Sequence, residues 1–293
     1  MLTLAISSRT LFDLNDSHQI FLDKGLEAYR NYQLAHEDEP LAPGVAFSLV
    51  KKLLNIVHPD TNEPLVEVVL VSRNNGDTGL RIFNSIEHHN INISRAVFSN
   101  GGSPYDYLKA LGVELFLSAH HADVISAIEA GYAAAHLMTR RSSGYIGGQV
   151  RIAFDGDAVL FSDESEQIYQ ASGLAAFREN EHKLRNQPLN PGPFSAFLKK
   201  LHALQMMFPN GQSPIRTALV TARSAPSHKR VILTLREWGI RIDEALFLGG
   251  QDKAEFLKSF KADIFFEDQL TYVKSASEHT ATGHVPYGIT NKK

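Results

Sequence analysis

Short apolar runs recur along the chain, and each is followed by residues with helical spacing. Leu2 to Ile6 and Val150 to Phe154 read as strands, and each precedes about 50 residues of helical character. In the second stretch the pattern predicts helices over Glu164 to Asn186 and Pro193 to Met207, separated by a breaker at Pro188 to Pro193. Strict alternation follows: a strand at Thr217 to Val220, a helix at Ser227 to Trp238, a strand at Ala245 to Leu248, a helix at Lys253 to Phe260, and a strand at Asp263 to Phe266. Short apolar strands alternating with helices predict a parallel sheet covered on both faces. The fold class expected is α/β, a doubly wound core with a helical cap. Residues after Ala276 are polar and aperiodic and read as a loosely packed tail.

The pattern also repeats, with an offset of about 150 residues. Ser17-His-Gln-Ile-Phe-Leu-Asp-Lys-Gly-Leu-Glu-Ala-Tyr-Arg30 runs parallel to Ser165-Glu-Gln-Ile-Tyr-Gln-Ala-Ser-Gly-Leu-Ala-Ala-Phe-Arg178. Pro40-Leu-Ala-Pro-Gly44 matches Pro188-Leu-Asn-Pro-Gly192, and Lys51-Lys52-Leu53 matches Lys199-Lys200-Leu201. Two halves of one fold are therefore expected: a lobe over 1–148 with a helical insertion at about 16–60, and a lobe over 149–275 with a cap at about 164–212. The tail occupies 276–293.

Composition narrows the class. The 293 residues are 43% hydrophobic with a net charge of -3, and Lys and Arg are scattered, which gives no footprint for nucleic acid or an anionic membrane. Any anionic ligand has to be held by a local site. The absence of cysteine removes disulfide and thiolate-metal chemistry and suits a reducing compartment. The opening apolar run is too brief for a secretory core, and no stretch approaches the roughly 18 apolar residues of a membrane span. The expected location is cytoplasmic.

Ligands of open parallel sheets bind beyond the carboxyl ends of the strands. At those positions the second half places Asp155-Gly156-Asp157, Thr221, then Gly249-Gly250 and Lys253, and finally Glu267-Asp268. Each alone reads as a turn or cap; together they suit phosphoryl transfer. A phosphate ester carries about two negative charges that repel an anionic nucleophile until they are neutralised. Carboxylates are the natural ligands of Mg2+, so Asp155, Asp157, Glu267 and Asp268 are the candidate metal ligands. Lys253 and Thr221 would take phosphoryl oxygens, and Arg223 reads equally as a phosphate contact or as a salt bridge at the sheet edge. Asp155 is the candidate nucleophile and Asp157 the candidate acid and base.

Phe154-Asp-Gly-Asp-Ala-Val-Leu160, Thr221, Lys253 and Glu267-Asp268, in that order, resemble the four motifs of the haloacid-dehalogenase-like superfamily. A two-component receiver domain also uses acids, a Thr and a Lys, but its acidic pair comes first; here an acidic pair comes last. Over nearly the whole chain, Ile6-Ser-Ser-Arg-Thr-Leu-Phe12, Phe83-Asn-Ser-Ile-Glu-His88, Ile152 to Glu166, Ala218-Leu-Val-Thr-Ala-Arg-Ser-Ala-Pro226 and Gly283-His-Val-Pro-Tyr-Gly288 resemble the cytosolic type I 5′-nucleotidases. That resemblance implies magnesium-dependent hydrolysis of nucleoside 5′-monophosphates such as AMP. Glu267 departs from it, standing where the family pair has Asp. The alternatives are a phosphatase for another small phosphomonoester and a non-catalytic nucleotide sensor.

Projected onto the first half, these positions read Ser7, Arg9, Ser72, Pro104 or Tyr105, and Ser118-Ala119, with no carboxylate. That half cannot run the same reaction. It is expected either to be structural or to hold a regulatory nucleotide, with Arg9 and Arg73 at its strand ends; self-association into a homo-oligomer is left open. His88-His89 and His120-His121 have poor spacing for metal ligation. Gly101-Gly102 and Gly147-Gly148 read as turns rather than phosphate loops. Of Tyr169, Phe177 and Phe194, at least two are expected in the core.

Overall fold

Val-Glu-Val-Val-Leu-Val-Ser and Ile-Arg-Thr-Ala-Leu-Val-Thr are too apolar to keep a wet face, so the strands they form must be covered on both sides. The computed structural model describes residues 1–138 and 148–292; Gly147, of the second glycine pair, lies outside them. The strands are β1 (Leu2–Ser7), β2 (Val66–Ser72), β3 (Ala96–Phe98), β4 (Leu115–Ser118), β5 (Ala133–Leu137), β6 (Val150–Phe154), β7 (Ile215–Thr221), β8 (Glu244–Phe247), β9 (Ile264–Glu267) and β10 (Thr282–His284). They form a ten-stranded sheet in the order β3-β2-β1-β4-β5-β10-β9-β6-β7-β8.

Read outward from the centre, each half has the same strand order. Neighbours within each half are parallel, and the junction between β5 and β10 is antiparallel, pairing Leu137 with Gly283 and His136 with His284. This is what two copies related by a half-turn must produce, because that rotation reverses strand direction. Lys52 Nζ lies 2.6 Å from Asp263 Oδ1, and the equivalent pair, Lys200 and Glu114, lies at 2.9 Å, so each half donates a cation to the other.

The segment after Ala276 differs from the expected loose tail. Thr282, His284 and Val285 are buried, and β10 is the strand that joins the halves. A Cβ on Gly283 would stand 2.8 Å from Ala135 Cβ and 3.0 Å from the Phe266 ring, closer than packed atoms allow, so only glycine fits between β5 and β9.

Helices cover both faces. Phe197, Leu198, Leu201 and Leu204 of the helix Ser195–Gln205 are buried in the main core with Phe154, Phe194 and Phe266, so this helix packs on the sheet rather than serving as a cap. The preceding helix, Glu164–Lys183, is largely exposed and breaks at Gly173, as its counterpart Asn15–Ala35 breaks at Gly25. Among the described residues no helix is long and apolar enough to cross a membrane.

Candidate functional site

Because β6, β7 and β9 are parallel and adjacent, the residues just past their ends converge. Asp155 follows β6 and is pinned to the neighbouring strand by its amide, which donates to the Phe266 carbonyl at 2.9 Å. Gly156 then turns the chain so tightly against β7 that an added Cβ would sit 3.2 Å from Thr221 Oγ1. Thr221 ends β7, buried, and its hydroxyl accepts the Arg223 amide at 3.2 Å. Glu267 ends β9, and Asp268 follows it.

Lys253 reaches this point from just ahead of the helix Ala254–Phe260 and is shut from solvent. Its Nζ lies 2.8 Å from Asp155 Oδ1 and 2.6 Å from Glu267 Oε2. Burial opposes the ammonium charge, but the two carboxylates outweigh it and hold the Lys253 pKa above the usual lysine range. Burial and the neighbouring Glu267 also push the Asp155 pKa up, to about 8, against the pull of Lys253. Asp268 is likewise raised by burial, then by Glu267 and Asp155. Three carboxyl groups share one ammonium in a dry pocket, and this crowding is what favours the protonated forms of Asp155 and Asp268.

Carboxylate oxygens of Asp155, Glu267 and Asp268 lie within 4.8 Å of one another, the only such metal-competent group among the described residues. Asp268 Oδ2 accepts from Thr290 Oγ1 at 2.8 Å, while Asp268 Oδ1 is buried and has no hydrogen-bond partner. An orphaned buried carboxylate oxygen beside two more carboxylates fits a hard divalent cation.

The carboxylate of Asp157 is not in this group. It accepts two hydrogen bonds from Arg223, Nε and Nη2 each at 2.7 Å, and Arg223 Nη1 lies 2.5 Å from Glu181 Oε2. Of the two readings of Arg223, the salt bridge is the one seen: all three nitrogens are spent on carboxylates. Glu181 in turn accepts from Arg230 at 2.9 Å and from Ser165 at 2.8 Å, and Arg230 reaches Glu164 at 2.6 Å. Sequence reasoning missed Glu181, Arg230 and Thr290. Glu181 sits in a polar helical stretch where a carboxylate reads as solvated, and only its tertiary partners give it away.

Phe194 is buried in the core, but Tyr169 is exposed and Phe177 half-buried, so only one of the three aromatics is core. Phe177 lies over Arg223 at 5.4 Å, with Tyr169 edge-on to it at 6.5 Å, and the two give this side of the site an aromatic face. The histidine pairs have local partners: His89 Nε2 lies 2.7 Å from the Leu41 carbonyl and His120 Nδ1 3.4 Å from Asp123.

A parallel α/β sheet whose strand tips gather a buried acidic cluster, a lysine and a threonine places the chain in the haloacid-dehalogenase-like class. Within that class it belongs to the 5′-nucleotidase family, whose model matches residues 1–292. It is similar to human cytosolic 5′-nucleotidase 1B, 40% identical over 287 residues, covering 94% of this chain and 47% of that protein. The chain thus spans about half the length of the curated relative it matches. No solved structure matches.

Proposed function

We propose that the chain hydrolyses nucleoside 5′-monophosphates to nucleoside and phosphate, with Asp155 as nucleophile and Mg2+ held by Asp155, Asp268 and Glu267. The observation that carries this reading is the convergence of Asp155, Lys253, Glu267 and the unpartnered Asp268 Oδ1 at one buried point. When bound, the cation neutralises phosphoryl charge that would otherwise repel the Asp155 carboxylate.

Asp155 attacks phosphorus, the bond from phosphorus to the leaving ribose oxygen breaks, and an aspartyl-phosphate forms on Asp155. Asp157 gives its proton to that leaving oxygen. In the second step it takes a proton from the water that attacks the phosphoryl group, which restores both aspartates. Lys253 and the Thr221 hydroxyl hold the non-bridging oxygens. Arg223 does not touch the phosphoryl group in this scheme; it positions the Asp157 carboxyl through two parallel hydrogen bonds. Glu267 contacts Lys253 through one oxygen and the Gln269 amide through the other, so it orients the lysine as well as facing the cation. The aromatic face of Tyr169 and Phe177 offers a surface on which a nucleobase stacks, which favours a nucleotide over a sugar phosphate. The relative's name says cytosolic, and a cysteine-free chain is suited to the same compartment.

Phosphate release measured across ribo- and deoxyribonucleoside monophosphates and sugar phosphates, with Mg2+ and with chelator, tests this. Asp155→Asn should turn over below about one thousandth of the wild-type rate with its melting profile retained. Robust turnover by that variant, or full activity in chelator, would overturn the assignment.

A further inference from the structure

The first half has kept the hydrogen-bonded frame of the site but reversed its charge. Its repeat partners for Asp157, Glu181, Arg223 and Arg230 are Arg9, Gln33, Asn74 and Arg81. Arg81 donates to Gln33 Oε1 at 3.0 Å, as Arg230 donates to Glu181 Oε1 at 2.9 Å. Gln33 Nε2 then donates to Tyr29 Oη at 3.0 Å, and Tyr29 donates to Asn74 Oδ1 at 2.8 Å. The ring of contacts therefore survives around Arg81 without the carboxylates that bracket Arg223 in the other half.

Two donors are left over. Arg9 Nε and Asn74 Nδ2 are both buried and neither has a hydrogen-bond partner. Among the described residues no carboxylate pairs with Arg9. The nearby Asp123 is already engaged by Arg73 through two hydrogen bonds, by Ser103 at 2.6 Å and by His120 at 3.4 Å. Ser7, at the nucleophile position, accepts the Ala119 amide at 3.1 Å. His18 and His120 both have lowered pKa values, first through burial and in part through Arg9, so unbalanced positive charge is concentrated here. Buried donors of this kind are normally satisfied, and an unpartnered cationic donor and an unpartnered amide donor that both neighbour Tyr29 call for an acceptor rich in negative charge.

We propose that the strand tips of the first half bind a phosphoryl-bearing anion, with Arg9 and Asn74 as direct donors. The anion is held and not hydrolysed, because Ser7 replaces the carboxylate nucleophile and, among the described residues, no carboxylates gather there to hold a cation. This does not rest on the catalytic reading of the second half, and removing the cation separates the two sites. Without a metal, the Asp155 site lacks the cation that would offset phosphoryl charge, whereas the Arg9 site keeps its charge.

The test is isothermal titration of the full chain in EDTA with inorganic phosphate, AMP and adenosine, repeated on Asp155→Asn, Arg9→Met, Arg9→Lys and Asn74→Leu. One saturable site per chain is expected for phosphate or AMP, unchanged in Asp155→Asn. Affinity should weaken about tenfold or more in Arg9→Met and in Asn74→Leu, with partial recovery in Arg9→Lys. AMP binding about tenfold tighter than phosphate, with adenosine silent, identifies a nucleotide as the source of the anion; equal affinities identify free phosphate. Absence of saturable binding up to about 10 mM, or binding that Arg9→Met leaves intact, overturns the proposal. Should Arg9→Met fail to fold, as judged by its melt, Asn74→Leu carries the same decision.

Discussion

Glu181 is the keystone of the polar frame beside the site, and replacing it with glutamine shows how much that frame contributes. Its wholly buried carboxylate takes Arg223 at 2.5 Å, Arg230 at 2.9 Å and Ser165 at 2.8 Å. Glutamine has the same shape but only one acceptor oxygen, so its amide nitrogen must face one of the two guanidiniums, donor against donor. Removing one partner of a buried pair costs about 3–5 kcal/mol. Arg223 retains Asp157 and Arg230 retains Glu164, which sets the expectation at the lower end, about 3 kcal/mol. At about 2–4 °C per kcal/mol for a chain somewhat smaller than this one, Glu181→Gln should melt about 6–12 °C below wild type. The loss should also reach catalysis, because Arg223 no longer holds a fixed angle on Asp157: kcat should fall about tenfold with KM little changed, equivalent to about 1.4 kcal/mol. Differential scanning calorimetry and steady-state phosphate release measure both. A melting shift under about 2 °C together with unchanged kcat would show that the two arginines are held by something other than Glu181.

Lys253→Met strips from Asp155 and Glu267 the only ammonium that pairs with them among the described residues and should destabilise the metal-free protein by about 3–5 kcal/mol in denaturant titration. A divalent cation at 100 times its dissociation constant should restore about 2.7 kcal/mol, and a midpoint identical to wild type in EDTA would contradict the pairing. At the junction of the halves, burial and then His121 lower the His136 pKa from 6.5 to about 4, with His284 and His120 also facing it and only the Ala119 carbonyl raising it. The unfolded chain therefore binds the proton first. Stability that is full above pH 6.5 is lost as pH falls toward 4, by about 2–3 kcal/mol for this one group. His136→Asn should remove that part of the pH dependence in urea titrations between pH 7 and 4.5, and parallel curves for variant and wild type would refute it.

The apolar runs made half of the ten strands legible, and the internal repeat pointed to a matching set in the first half. Val150–Phe154 has the predicted bounds, β7, β8 and β9 differ from expectation by one or two residues at their ends, and β10 was not anticipated. The convergence of Asp155, Lys253, Glu267 and Asp268 was also readable, because strand order in a parallel sheet determines which loops meet. What was not readable depends on contacts between segments far apart in sequence. Thr282-Gly283-His284 has no apolar run; it is buried because β5 and β9 close on it from both sides, and its glycine is dictated by an approach that exists only in the folded state. One trace was available: Ala135-His136-Leu137 and Gly283-His284-Val285 keep the repeat offset, so the duplication runs further toward the C-terminus than the more obvious matches show. The role of Arg223 was undecided in sequence for a similar reason, since Glu181 lies 42 residues away on a helix that reads as solvated.

The junction also supplies a reason for the first half to persist without its carboxylates. Alone, either half would end in an unpaired strand, β5 or β10, and such edges invite misassembly. Joined, each covers the edge of the other, and the exchanged pairs Lys52 with Asp263 and Lys200 with Glu114 draw one partner from each half. Asp263 Oδ2 also accepts the Arg151 amide near the start of β6, so the cation from the first half braces the strand that leads into Asp155. The absence of carboxylates from the first half's strand tips removes none of these contacts, because the positions proposed for catalysis lie at the strand tips while the cross-lobe ion pairs lie elsewhere. Selection on folding and selection on catalysis therefore act on different residues of the same repeat, and the first half could lose its carboxylates while the joint was retained.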